Sequence, residues 1–340
     1  MILSIVEYKS NALSTTLGLS INMDVVSLGE LIAEFIRVRR GVMHDVADLY
    51  MGPFPSGAPA ITIDSAARLG LNTGFIGVVG NDDFGRMIIS RFRRDGVDAA
   101  NVIIDDDSIT GLAFVAYDQL GSRRFVFNLR WSSSAKLTPN LVNLDYFREL
   151  KVLHVSGSTM YIGKGPRDAC IKAMNEAKRR GALVSYDPNV RVELMGINDI
   201  MELFLNALRL IDVLLINEEE INMLMGGGGA LSNSIKLLNK GPEIIVVKRG
   251  VNGSFALSKG NQYYEEDAFE VNEVDPTGAG DVFNAAFIYG YLKGWGIDQA
   301  LKFANAAAAI KVTRLGPMEG PNNVEEVLEL MRKGKQRNVK

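Results

Sequence analysis

At 340 residues, 47% of them hydrophobic, the chain can bury a sizeable core as one large α/β domain or as two smaller ones. Its 37 basic and 40 acidic residues leave a formal charge of −3, so no general field draws nucleic acid or an anionic membrane, and a small-molecule substrate is expected. A single cysteine, Cys170, excludes an internal disulfide and a cysteine-rich metal site and suits a reducing compartment, while no apolar run approaches the roughly 18 residues of a spanning helix.

Residues 1–22 read as an N-terminal extension. Their apolar opening, Met1 to Val6, is too short for a signal core and is followed by Glu7 and Lys9. From residue 23 onward, short apolar runs alternate with longer helical segments. The runs at 25–28, 75–79, 152–155, 183–186, 213–216 and 244–247 predict strands of a mostly parallel sheet with helices on both faces. Residues 167–180 predict a helix with Ala169, Ile171, Ala173, Met174 and Ala177 on one side and a basic last turn before Gly181. A small-residue helix is expected at 297–313. Two segments, 34–50 and 110–128, break the alternation and read as short strands joined by turns, the second as a hairpin around Asp118 to Ser122. Gly226 to Gly229 is a flexible connector, since no Lys-Ser or Lys-Thr follows it as a phosphate loop requires. His44 and His154 stand far apart without nearby cysteines, which argues against zinc. Residues 332–340 read as a solvated basic tail.

The most informative stretch is Val274-Asp275-Pro276-Thr277-Gly278-Ala279-Gly280-Asp281-Val282-Phe283, which runs into the apolar residues 285–292. Gly278, Ala279 and Gly280 should offer unpaired backbone N–H groups at the positive end of a helix, with no side chain to keep an anion away. Asp281 could then take the proton of a hydroxyl attacking phosphorus. Read alone, the same spacing is equally a glycine turn with an acid favoured by the helix dipole.

This segment resembles the Asp-Thr-Gly-Ala-Gly-Asp signature of the ribokinase-like (PfkB) sugar kinases. Gly57-Ala58-Pro59-Ala60 and the run from Gly77 to Gly85 resemble that family's first signature. Asp187-Pro188-Asn189-Val190-Arg191, Asn217-Glu218-Glu219-Glu220 and Lys248-Arg249-Gly250-Val251-Asn252-Gly253 follow in the family's order.

The resemblance implies a ribokinase-like α/β fold over residues 23–325, with a small β lid from about 34–50 and 110–130 and a C-terminal helix end and basic tail at 326–340. It implies an ATP- and Mg²⁺-dependent kinase acting on a hydroxymethyl oxygen of a small sugar, with Asp281 as base. Fructose comes first, then 2-keto-3-deoxygluconate, then ribose or a nucleoside; a non-catalytic sugar- or nucleotide-binding regulator is the alternative of another class. The family pattern assigns Glu34, Gly57, Arg130 and Arg191 to the acceptor. It assigns Asn189, Asn217, Glu220, Lys248, Gly250, Gly253 and Asn305 to the nucleotide, with Glu220 also acting indirectly on Mg²⁺ and Asp275 on a monovalent cation such as K⁺. It further implies a cytoplasmic homodimer joined through the lid, with no nucleic-acid or membrane partner. Ile61 and Ser56 depart from the first signature, where asparagine and glycine are usual, and Pro317 departs from the usual small residue beside the cation loop.

Overall fold

The computed structural model describes residues 22–119 and 122–337. The predicted extension up to residue 21, the Leu120-Gly121 part of the predicted hairpin turn and residues 338–340 of the basic tail lie outside the described residues.

Two sheets organise the chain. Strands β1 (Val25–Gly29), β2 (Ile32–Arg37) and β3 (Tyr50–Ser56) are followed by helix α1 (Ala58–Arg68), β4 (Thr73–Gly80), α2 (Asp83–Asp95), β5 (Val97–Asp105), β6 (Gly111–Tyr117) and β7 (Arg123–Phe127). Then come β8 (Val152–Ser156), α3 (Gly157–Ile162), α4 (Lys164–Arg179), β9 (Leu183–Asp187), α5 (Ile197–Ala207), β10 (Val213–Asn217), α6 (Glu218–Leu224), α7 (Ala230–Leu238) and β11 (Ile244–Lys248). The chain closes with β12 (Ser254–Ser258), β13 (Gln262–Glu266), α8 (Ala279–Leu292), α9 (Ile297–Val312) and α10 (Val324–Lys333).

The large sheet has the order β13-β12-β11-β10-β9-β8-β1-β4-β5. It is parallel from β11 to β5, and the β11-β12-β13 edge is antiparallel. Strand order reverses around β1, which pairs with β8 on one side and β4 on the other. In such sheets ligands bind beyond the carboxyl ends of the strands at the reversal. The residues that leave those ends here are Glu30, Ser156, Asp187, Asn217 and Lys248.

Successive residues of a strand face opposite ways, and both faces of the large sheet are covered, so its central strands read as continuous apolar runs. Val26 and Leu28 of β1 enter one core with α4 and α5, whereas Val25 enters the other with α1, α8 and α9. α8 is buried from Asp281 to Gly290, and the small residues Ala304, Ala306 and Ala307 let α9 pack closely beside it.

The small sheet has the order β3-β2-β6-β7. Over 34–50, read as short strands joined by turns, β2 ends at Arg37 and residues 38–49 form turns, held by the Arg37 guanidinium donating to the carbonyls of Met43 at 2.5 Å and Val46 at 2.8 Å. The strand resumes as β3, whose Pro53 and Pro55 suit a sheet edge that needs few ladder donors. Sequence patterning missed β5, β12 and β13. β5 is broken up by Asp98 and Asn101, and β12-β13 is a hairpin closed by Gly260 and Asn261 in left-handed conformations (φ 87° and 59°).

Candidate active site

A cavity of about 390 Å³ opens at the carboxyl ends of the large sheet and is roofed by the small one. Gly278, Ala279, Gly280 and Asp281 line it together. Gly278 caps α8 with φ 80° and ψ −3°, and a Cβ there would lie 2.3 Å from the Pro317 carbonyl oxygen. Only glycine meets both demands. Gly278→Ala is therefore expected to destabilise the fold by about 1–3 kcal/mol from backbone strain alone, read by urea unfolding. Wild-type stability in that variant would refute the steric account.

One expectation for this turn needs correcting. Ala279 N–H donates to the Pro276 carbonyl at 3.2 Å, so it is not a free donor. The first helical bond runs from Val282 to the Gly278 carbonyl, and the amides left without a helical acceptor are those of Gly280 and Asp281.

Asp281 is buried, and burial, reinforced by the nearby Asp187 charge, pushes its carboxyl up to about 8. Its Oδ1 accepts a 3.4 Å bond from Asn189 Nδ2. Asn189 adopts φ 40° because its own N–H turns back onto Asp187 Oδ1 at 2.9 Å, and its buried Oδ1 has no partner. Asp187 is the hub. Its Oδ2 accepts from Lys248 Nζ and from Asn284 Nδ2, both at 2.7 Å, and Lys248 also donates to Asn284 Oδ1 at 3.0 Å. Burial alone would raise the Asp187 carboxyl, but Lys248 and Asn284 hold it below its usual range. A Cβ at Gly280 would touch Lys248 Nζ at 3.5 Å, so the ammonium sits against the bare turn. Sequence reading missed Asn284, although its position three residues after Asp281 puts both on one helix face.

Asn217 and Glu220 line the cavity but also form a capping box for α6. Asn217 Oδ1 accepts from Glu220 N–H at 2.8 Å, and Glu220 Oε2 accepts from Asn217 N–H at 3.3 Å. Glu220 Oε1 accepts from Val190 N–H at 2.8 Å, so this carboxylate ties two strand ends together, and burial raises it. Gly250 and Gly253 line the cavity as well, the first exposed and the second buried. Asn305 lines the same end, yet its Nδ2 donates to the Glu266 and Asp267 carbonyls at 3.1 and 3.5 Å rather than standing free.

At the other end Glu30 is buried and raised by burial, with Ser158 and Thr159 hydroxyls donating to it at 2.6 and 2.5 Å. Burial pushes Glu34 up to about 7; its Oε2 accepts from Ser56 at 2.8 Å, and its Oε1 has no partner. Ser56, a departure from the family pattern, thus orients Glu34. Arg191 lines the cavity with its guanidinium 5.3 Å from the Phe125 ring centre.

Two expectations change and one residue is added. Arg130 does not reach the cavity: its guanidinium donates to the Leu194 carbonyl in a separate shallow cleft beside Trp131. Arg123, the first residue of β7 and paired with Tyr117, lines the cavity instead and was missed. Gly57 caps α1 with φ 117°, and a Cβ there would meet the Glu30 carbonyl at 2.3 Å, so its bareness serves packing rather than acceptor approach.

The predicted solvated tail is also partly ordered. Arg332 and Lys333 end α10, Gln336 bridges to Phe269, and Arg337 lines the cavity. Cys170 is a buried thiol pushed up by burial, and burial takes buried His154 down to about 4. Gly226 to Gly229 is the connector between α6 and α7, all four glycines in positive φ.

Asp275 does not stand ready for a free monovalent ion. Lys311 Nζ donates to its carbonyl at 2.7 Å and to the Arg314 carbonyl at 3.1 Å, and lies 3.7 Å from its Oδ2. The oxygens a dissolved cation would take are already held by an ammonium, so these residues do not fit a K⁺ site.

Residues 22–323 match the family model described as pfkB family carbohydrate kinase. The chain belongs to the pfkB family. It is a carbohydrate kinase, a phosphotransferase with an alcohol group as acceptor. It is 32% identical to Fructokinase-1 of Zea mays over 91% of this chain and 98% of that protein. It is equally 32% identical to the 5-dehydro-2-deoxygluconokinase of Halalkalibacterium halodurans, over 82% and 86% of the two chains. An E. coli protein provisionally named ribokinase II, solved in complex with ATP and Mg²⁺, superposes with a TM-score of 0.85 at 35% identity, covering 92% of this chain and 99% of that one. The pfkB assignment agrees with the fold: a mostly parallel ribokinase-like sheet with helices on both faces and a second small sheet at the carboxyl ends of its strands.

Proposed function

We propose that this kinase transfers the γ-phosphoryl group of ATP to a hydroxymethyl oxygen of a small sugar, with fructose the preferred acceptor and Mg²⁺ the accompanying metal. One observation carries the reading: the opening of α8, Asp281 and the buried carboxylates Glu30 and Glu34 line one cavity. Helix amides and Lys248 suit phosphate at one end, and carboxylates suit sugar hydroxyls at the other. Asp281 accepts the proton of the attacking hydroxyl, while the Gly280 and Asp281 amides oppose charge growing on the transferred group. Glu34 Oε1, buried without a partner, is a ready acceptor for a sugar hydroxyl.

Among the described residues no group of three or more His, Cys, Asp or Glu could hold a metal ion by itself. The unpartnered Asn189 Oδ1 and the buried Glu220 fit Mg²⁺ held chiefly by phosphates and water. Bound with the nucleotide, Mg²⁺ neutralises phosphate charge. The 35%-identical structure with ATP and Mg²⁺ supports this donor, and the fructokinase relatives support the acceptor. The exposed Leu49, Met51 and Val126 at the edges of the small sheet support a homodimer through it, which light scattering would test. A cytoplasmic location, where ATP is plentiful, belongs to the same reading.

An acidic acceptor of the ketodeoxygluconate kind is the second reading, because Arg123 and Arg191 line the cavity and could pair with its carboxylate. A coupled ADP-release assay across fructose, ketodeoxygluconate, ribose and adenosine separates the readings; absence of turnover with every sugar would defeat both. Arg123→Ala is expected to raise the KM of an acidic acceptor about tenfold or more and to leave a neutral one nearly unchanged. Arg130→Ala, outside the cavity, is expected to alter neither.

A further inference from the structure

We propose that the Lys311 ammonium is a tethered monovalent cation, built into the loop beneath the catalytic turn, and that this kinase works without K⁺. The inference rests on the kinase reading above, but its argument is geometric. Residues 275–277 form a loop running directly into α8. Asp275 Oδ1 accepts from Thr277 N–H at 3.0 Å and from the Tyr117 hydroxyl at 3.1 Å, and Oδ2 accepts from Gly316 N–H at 3.0 Å. Beside this carboxylate, two carbonyls turn their oxygens toward one point, those of Asp275 and Arg314. Convergent carbonyls with a nearby carboxylate are what a monovalent cation asks for in place of its water shell.

The point is taken by a side chain. Lys311 comes from the last turn of α9 and is 0% exposed, the only buried lysine among the described residues. A buried ammonium is costly unless its donors and its charge are answered, and here both carbonyls and the Asp275 carboxylate answer it. An ammonium resembles K⁺ in charge and size, so the loop receives the same field from a group that never dissociates.

Two consequences tie this to turnover. The Asp275 N–H donates to the Val312 carbonyl at 3.1 Å and the Pro276 carbonyl accepts from Ala279, so the loop holding the charge also sets where α8 begins. The positive charge offsets Asp275 close to the turn where phosphate negative charge would gather. Lys311 touches neither substrate; it is a positioning residue.

The test compares wild type, Lys311→Met and Lys311→Gln in choline, Na⁺ and K⁺ chloride at equal ionic strength. It uses ATP affinity by calorimetry and turnover with whichever sugar the acceptor screen finds, with circular dichroism to check folding. Wild type is expected to bind ATP and turn over equally in all three salts. The methionine variant is expected to lose about 10²-fold in kcat in choline, as a misplaced catalytic turn does, and to recover saturably with K⁺ but not with choline. A packing role alone would not give ion-selective rescue. Wild type strongly activated by K⁺ would overturn the inference. So would a folded variant that is fully active in choline, or one whose loss K⁺ does not repair. If neither variant folds, the wild-type salt series decides by itself. Failure of wild type to bind ATP in any salt would strike the kinase reading instead, which keeps the two outcomes apart.

Discussion

Asp281→Asn is expected to lower kcat by about 10²- to 10⁴-fold in the ADP-release assay while ATP affinity by calorimetry stays close to wild type. The substitution keeps the shape and the α8 amides and removes only the proton acceptor. It also yields a second readout with the opposite sign. The Asp281 carboxyl sits at about 8 in the folded chain against an ordinary 3.8. Folding therefore favours its protonated form. The cost to stability is absent well below the ordinary value, grows as pH rises between the two, and is complete above about 8. The amide never ionises, so the variant should unfold at a higher temperature than wild type at pH 8 and above, with the gap closing toward pH 4. Wild-type kcat/KM should rise with pH through about 8 as the free base forms. An active, unshifted variant would end the assignment of Asp281 as base.

Lys248→Met is expected to cost about 3–5 kcal/mol in urea unfolding, because it strands Asp187 as an uncompensated buried charge. The pair is 2.7 Å apart with side chains only 13% and 4% exposed, unlike the surface pair Lys333–Glu329, whose side chains are 75% and 58% exposed and whose loss should cost under about 1 kcal/mol. Since Lys248 holds the Asp187 carboxyl below its usual range, the pair's contribution is present above that range and is lost as pH falls through the lowered value. Activity should fall with stability, since Lys248 lies against Gly280. Adding Asp187→Asn should restore most of the stability and none of the activity. If Lys248→Met alone leaves stability intact, Asp187 is not the hub described here.

What was legible in the sequence was local. The central strands announced themselves because burial on both faces made them unbroken apolar runs, and the α8 turn did so because its three small residues and its acid are consecutive. Edge elements escaped, since β5 and β13 keep one face half in solvent and carry charges that break the pattern. The rest of the site escaped because its partners are distant in sequence. Lys248 meets Asp187 across 61 residues, and Asn284 meets it across 97. Lys311 drew no notice within the small-residue helix expected at 297–313, because only the fold brings Asp275, 36 residues away, against it. Arg123 escaped for a related reason, since its pairing with Tyr117 across the hairpin is a register that no single strand declares, while Arg130 stands beyond the end of β7.

Tyr117 belongs to the small sheet, yet its hydroxyl sits among the oxygens of the 275–277 loop, 2.6 Å from Thr277 Oγ1 and 3.1 Å from Asp275 Oδ1. Any outward swing of that sheet must break both links, and the carboxylate that loses one borders the residues opening α8. Unroofing the chamber and slackening its machinery are then a single event. A nucleotide waiting without an acceptor would meet bulk water only while the groups able to hasten its hydrolysis are out of alignment.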